Sequence, residues 1–173
     1  MVETQIAARS RTFTWSDPLV NAAELGRRSG LETLRAIGSG ELPKPPVMHL
    51  VGMHAVEAVE GRVVFAMTAG EFHYNPLGTV HGGVLATLLD TATGCAVHSI
   101  LPAGMGYTSL DLTTKFLRPV TVDSGELRCE GTVISRGRTT ALSEARLTDS
   151  EGRLVAYATS SCLLFDLGRP VTP

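Results

Sequence analysis

Along this chain apolar positions recur first at helical spacing and then at every second residue. Ser16-Asp17-Pro18 offers a capping side chain followed by a first-turn proline, with Leu19, Ala22, Ala23 and Leu25 behind it at roughly helical spacing. Ser29-Gly30-Leu31-Glu32 has the S-x-x-E form of a capping box, and Leu31, Leu34 and Ile37 continue its pattern. Gly38 and Gly40 can stop that helix, and Pro43-Lys44-Pro45-Pro46 reads as a stiff extended linker. Residues 1–46 are thus expected to form a helical extension.

From Met48 the period shortens to two. Val51–Val59 and Arg62–Met67 read as strands joined by a turn at Glu60-Gly61. Thr108–Leu117 places Leu110, Leu112, Thr114 and Phe116 on one side, and Pro119 ends it. Glu126–Ser135, Thr139–Asp149 and Arg153–Phe165 complete a run of long strands with hairpin-like connections. One long helical pattern interrupts them, from His81-Gly82-Gly83 to about His98. The expectation is an α+β fold: two strands, a central helix, then four strands in an antiparallel sheet. The domain spans residues 47–167, and 168–173 form a tail.

The central helix carries Val84, Leu85, Leu88, Leu89, Ala92, Cys95 and Ala96 on a wide apolar side. The remaining stripe is Gly83, Thr87, Asp90, Thr91, Gly94 and His98, small and polar, open to close approach by a backbone or a ligand. Asp90 stands in its middle, where burial of a carboxylate is costly without a partner. The alternative is a solvated aspartate on a wet face; two glycines and the absence of Lys, Arg and Glu from the stripe argue against it.

Ahead of that helix runs Asn75-Pro76-Leu77-Gly78-Thr79-Val80-His81-Gly82-Gly83. The first N–H groups of a helix are unpaired and carry the positive end of its dipole, and glycines let a carbonyl oxygen come close. Such a terminus can serve as an oxyanion hole. Eight residues separate Gly82 from Asp90, about 12 Å along a helix. An attacking oxygen and an oxyanion donor both need to lie about 3 Å from one carbonyl, which one chain does not easily achieve. Two chains packed antiparallel can, so joint catalytic use of both features implies a homodimer with shared sites.

Composition narrows the field. The 173 residues, 43% hydrophobic and 18% charged, support one cored domain and exclude intrinsic disorder. A folded surface of roughly 8,100 Å² is expected for this mass. The net charge of −2 leaves no basic excess for a nucleic-acid backbone. Cys95, Cys129 and Cys162 are widely spaced and fit free thiols in a reducing compartment, and His49, His54, His73 and His98 share no ligand spacing with one another or with the cysteines, so no metal site is expected. Neither a signal peptide nor a membrane-spanning run is seen, and a cytoplasmic location is the expectation.

The string Asn75-x-x-Gly78-x-x-His81-Gly82-Gly83, followed by Asp90, Thr108-Ser109-Leu110-Asp111-Leu112 and Arg118-Pro119, resembles hotdog-fold acyl-CoA thioesterases. Within these it is most similar to the PaaI-like type of the phenylacetate pathway, over roughly residues 47–166. The resemblance implies an antiparallel sheet wrapped around one long helix. It also implies hydrolysis of a small acyl-CoA thioester, possible aryl acyl groups included, without a cofactor. By the same resemblance Asp90 attacks the thioester or activates water, the Gly82 N–H binds the carbonyl oxygen, Asn75 orients the group, and Ser109, with its neighbour Thr108 as the alternative, holds the acid or the water. His81, Gly83 and Thr108 line the substrate. For His81 a base role competes with shaping of the helix start, and the second is favoured because Asp90 already supplies a base. Arg136 and Arg138, and Lys115 and Arg118, are candidates for the coenzyme phosphates. A homodimer, and a dimer of dimers beyond it, are the expected assemblies. Two other functions compete: a hotdog hydratase or dehydratase, whose His-Phe-Pro-Gly loop is absent here, and an acyl-CoA-sensing module without turnover.

Overall fold

The computed structural model describes residues 8–24 and 26–168. Leu25, which belongs to the first helical pattern, and residues 169–173 of the tail lie outside the described residues. Asp17 Oδ1 accepts the Leu19 N–H at 2.9 Å and starts a short helix, α1 (Leu19–Glu24). Ser29 closes the expected capping box with Glu32 at the head of α2 (Gly30–Ser39), and Gly40, at φ 84°, ends it.

The expected Pro43–Pro46 linker is shorter than the sequence implies. Pro46 is the first residue of a further helix, α3 (Pro46–Val51), a position that suits proline's fixed φ and missing N–H. The first strand therefore starts later than the pattern predicts. It is β1 (Met53–Val59), paired antiparallel with β2 (Arg62–Thr68).

The central helix α4 (Gly82–Ser99) follows. After it come five strands rather than four: β3 (Met105–Ser109), β4 (Thr113–Phe116), β5 (Glu126–Arg136), β6 (Thr140–Thr148) and β7 (Leu154–Asp166). The expected strand Thr108–Leu117 is broken because Asp111 interrupts the ladder. Its Oδ1 accepts the Ser161 N–H at 3.1 Å, and its carbonyl accepts the Ser160 hydroxyl at 2.7 Å. Both halves still pair with β7, in tandem along it. The sheet is antiparallel throughout, in the order β1-β2-β5-β6-β7-β3, with β4 also on β7.

The sheet wraps α4. Leu88, Leu89 and Ala92 are fully buried against Met67, Leu127, Cys129, Leu147 and Ala156. At Gly131 on β5 a Cβ would lie 2.2 Å from the Ala92 carbonyl oxygen, so glycine sets how closely the helix approaches the sheet. Helix α2 crosses the far end of α4. The Gly30 N–H donates to the Leu101 carbonyl at 3.0 Å, and a Cβ on Gly30 would sit 1.8 Å from the His98 carbonyl oxygen.

The accessible surface is 9970 Å², above the expected value. Large apolar side chains left in the open contribute: Leu77, Leu110, Phe116 and Leu117 are all exposed along the free β3–β4 edge and the loop beside it. Leu110 and Phe116, expected on one side of a single strand, are 58% and 53% exposed.

Candidate active site

Two groups of residues are assembled on α4, one at its N-terminus and one halfway along it. At the N-terminus the Asn75 side chain ties the loop together. Its Oδ1 accepts the Leu77 and Thr79 N–H groups at 2.9 and 3.3 Å, and its Nδ2 donates to Thr79 Oγ1 at 3.0 Å. Gly78 takes φ 77°, the left-handed conformation the turn requires. The loop is anchored from behind by His73, which is buried. Its Nδ1 accepts the Gly70 N–H at 3.0 Å and its Nε2 lies 3.0 Å from the Val51 carbonyl. With Nδ1 accepting, the proton sits on Nε2 and the ring is neutral. Burial pushes the His73 pKa down, and the Arg11 guanidinium adds to the effect.

His81 is the N-cap of α4, and its Nδ1 accepts the Gly83 N–H at 2.9 Å. The Gly83 donor is thereby used inside the chain. The Gly82 N–H has no acceptor among the described residues. It borders an open cleft of about 370 Å³ lined by Asn75, Leu85, Phe116, Leu117 and Arg118. The Phe116 ring lies close over Gly82, 3.1 Å from where a Cβ would stand. Arg118 donates from Nη1 to the Leu154 carbonyl at 2.8 Å, which holds the guanidinium at the cleft.

Halfway along α4, Asp90 Oδ1 accepts a hydrogen bond from the Ser109 hydroxyl at 3.1 Å. Ser109 and Tyr107 lie on the face of β3 turned toward α4, and the Tyr107 ring covers Gly94, 2.8 Å from where a Cβ would be. Burial pushes the Cys95 thiol beside it up to about 12, so at neutral pH it is not a thiolate nucleophile. Thr108 alternates to the other face of the strand, away from Asp90, and does not join the pair. In a single protomer Asp90 is exposed, not buried as the apolar helix suggested.

The structure therefore brings Asp90 together with Ser109, and Asn75 and His81 with Gly82 and Gly83. It keeps the two groups apart along one rigid helix. The turn arginines fall elsewhere: Arg136 donates to the Ile100 carbonyl at 3.3 Å, beyond the C-terminus of α4, and Arg138 is exposed at the β5–β6 turn. Sequence reasoning missed the Phe116–Leu117 wall of the cleft, Tyr107 on Gly94 and the His73 anchor. Phe116 was read only as one side of a strand, and His73 only as a histidine without ligand spacing. Among the described residues no three His, Cys, Asp or Glu side chains converge as a metal site, and no helix is long and apolar enough to cross a membrane.

Comparison with known proteins adds to this geometry. Residues 77–156 match a family model described as the thioesterase superfamily. The chain is 30% identical over 102 residues to human acyl-coenzyme A thioesterase 13, covering 58% of this chain and 71% of that protein. It is 36% identical over 96 residues to an esterase candidate of Halobacterium salinarum, a match over 51% of this chain that spans 62% of the relative's length. Among solved structures, a phenylacetic acid degradation-related protein of Ralstonia eutropha superposes with a TM-score of 0.69 at 31% identity, covering 75% of this chain and 98% of that one. The PaaI protein of the E. coli phenylacetic acid degradation operon has a TM-score of 0.70 at 22% identity, covering 82% of this chain and 96% of that one, a likeness of fold.

Proposed function

The chain belongs to the thioesterase superfamily and has the hotdog fold, and from that premise we propose that it hydrolyses acyl-CoA thioesters at sites shared between two copies. The relative named acyl-coenzyme A thioesterase supports the substrate class. The observation that carries the reading is the hydrogen bond from Ser109 of β3 to Asp90 of α4, the helix whose first N–H, that of Gly82, has no acceptor among the described residues.

Asp90 acts as the general base. The Ser109 hydroxyl occupies Oδ1 and fixes the carboxylate, and Oδ2 takes a proton from an attacking water. The water oxygen bonds to the thioester carbon, and the carbonyl electron pair moves onto oxygen. There the Gly82 N–H of the second copy, with the helix dipole behind it, stabilises the oxyanion. The intermediate collapses with cleavage of the C–S bond, and the proton held by Asp90 passes to the departing sulfur. Asn75 and His81 serve this step by geometry: Asn75 shapes the loop, and His81, by taking the Gly83 N–H, fixes the first turn so that the Gly82 N–H points outward. The coenzyme arm lies in the cleft beside Gly82, with Arg118 to meet its phosphates.

The exposed apolar edge of Leu77, Leu110, Phe116 and Leu117 supports burial by a second copy. A free edge strand at β3 supports pairing of sheets across that contact. Release of free thiol from acyl-CoA tests the reaction. Asp90→Asn should preserve the fold and lose about 10²-fold or more in kcat/KM, the loss expected for a positioned base. Turnover near that of the parent protein would remove Asp90 from the mechanism.

A further inference from the structure

A second cavity lies on the other flank of α4, where the N-terminal helices meet the β1–β2 hairpin. Leu34 and Ile37 of α2, Met48 of α3 and Phe65 of β2 wall it, and α4 contributes Thr91 and Cys95. Its volume is about 80 Å³. The few polar groups at its lining are already engaged. Thr91 Oγ1 donates to the Thr87 carbonyl at 2.7 Å, and Glu57 pairs with Arg62 at 2.9 Å while remaining half-exposed. The chamber therefore offers an apolar ligand neither a charge nor a free hydrogen-bonding group to desolvate.

Its position ties it to the site. Thr91 is the residue after Asp90, and Cys95 lies about 7.5 Å farther along the helix axis than Asp90. A carbonyl held over Asp90 can send a chain of a few carbons around the helix, past Thr91, into the chamber. Size then sets the limit. An apolar cavity of about 150 Å³ takes benzene, so roughly 80 Å³ takes about half as many carbons.

We infer that this chamber, closed by α2 and α3, receives the acyl group of the thioester and restricts the enzyme to short aliphatic acyl groups of about three to five carbons. The inference rests on the hydrolysis proposed above. It assigns the N-terminal extension a role in substrate choice, and it sets aside aryl and long acyl chains that the resemblance leaves open. The coenzyme arm and the acyl group then lie on different copies, one in the cleft beside Gly82 and the other behind Asp90.

The test uses the full chain and measures kcat/KM by thiol release for straight-chain acyl-CoAs from acetyl to decanoyl, with phenylacetyl-CoA beside them. The expected profile rises by about fourfold per methylene to butyryl or valeryl, then falls at least tenfold by octanoyl and for phenylacetyl. Ile37→Ala enlarges the chamber from the half-buried face of α2 and should move the optimum one or two carbons longer. Ala58→Leu, which fills the chamber from β1, should cut the butyryl-to-acetyl ratio at least tenfold. An optimum at octanoyl or phenylacetyl overturns the inference and leaves the hydrolysis standing. So does a chain-length profile that neither variant alters. No thiol from any of these substrates overturns the hydrolysis itself, and the inference with it.

Discussion

His73 and His98 are both held toward the neutral form by burial, and His73 does so while anchoring the loop that carries Asn75. Their pKa values are depressed in the fold, so the unfolded chain takes up protons first as pH falls through about 6.5. Stability is full above that value and is lost on acidification below it. Urea unfolding between about pH 5 and 7.5 should show a midpoint that declines on the acid side. His73→Gln should lower stability at neutral pH through the lost anchor, yet flatten that decline. An unchanged acid slope in the variant would show that His73 does not carry the effect. At the same scale, the string from Asn75 to Gly83 was legible as the carrier of the resemblance, but the bonds of Asn75 and His81 were not. Both spend their polar atoms on the loop, and only the folded turn shows that this leaves Gly82, not Gly83, with the free donor. Ser109 came from the family resemblance alone, and only the fold shows its strand beside α4, with the hydroxyl 3.1 Å from Asp90. Thr108 was not separable from it until the pleat placed the two on opposite faces.

Among the elements, α4 was the easiest to read, since its long apolar side and glycine start leave little choice. The capping box of α2 was equally plain. What the pattern could not show was α3, because two prolines in succession signal a linker unless the second opens a helix, and the break at Asp111, because an aspartate replacing a ladder bond looks like an ordinary strand alternation. The packing of α2 on α4 also depends on a contact distant in sequence. Gly30 meets the His98 carbonyl backbone to backbone, and neither side can yield to a Cβ. Gly30→Ala should therefore cost about 1–3 kcal/mol by wedging the helices apart. Gly38→Ala, in the same helix with its nearest neighbour 4.0 Å from the new Cβ, should instead stabilise by about 0.5–1 kcal/mol. Thermal or urea unfolding of the two variants compares them directly. A neutral Gly30→Ala would mean that α2 is not seated on α4 as described.

For the whole molecule, the antiparallel sheet follows from the run of hairpins, its wrapping around one long helix is what the resemblance implies, and the fold shows both. The assembly does not follow from one chain's packing. It is argued from what one chain leaves undone: an exposed acid, an unused N–H about 12 Å away on the same rod, and an uncovered apolar edge. Gly82→Pro disables the donor end: proline at the first helical position removes the N–H while its φ suits the helix, its ring crowds Phe116, 3.1 Å from the new Cβ, and His81, at φ −61° and ψ 135°, already has the extended conformation that proline favours before it. Asp90→Asn removes the base. Each variant alone should be nearly inactive. Co-refolded in equal amounts, half the dimers pair one variant with the other, and each such dimer holds one site with both parts intact. Thiol release from acyl-CoA by that mixture should return to about a quarter of the parent rate, as expected for two sites related by a twofold axis. A mixture in which mixed dimers demonstrably form but turnover stays at the level of the separate variants would contradict the shared site.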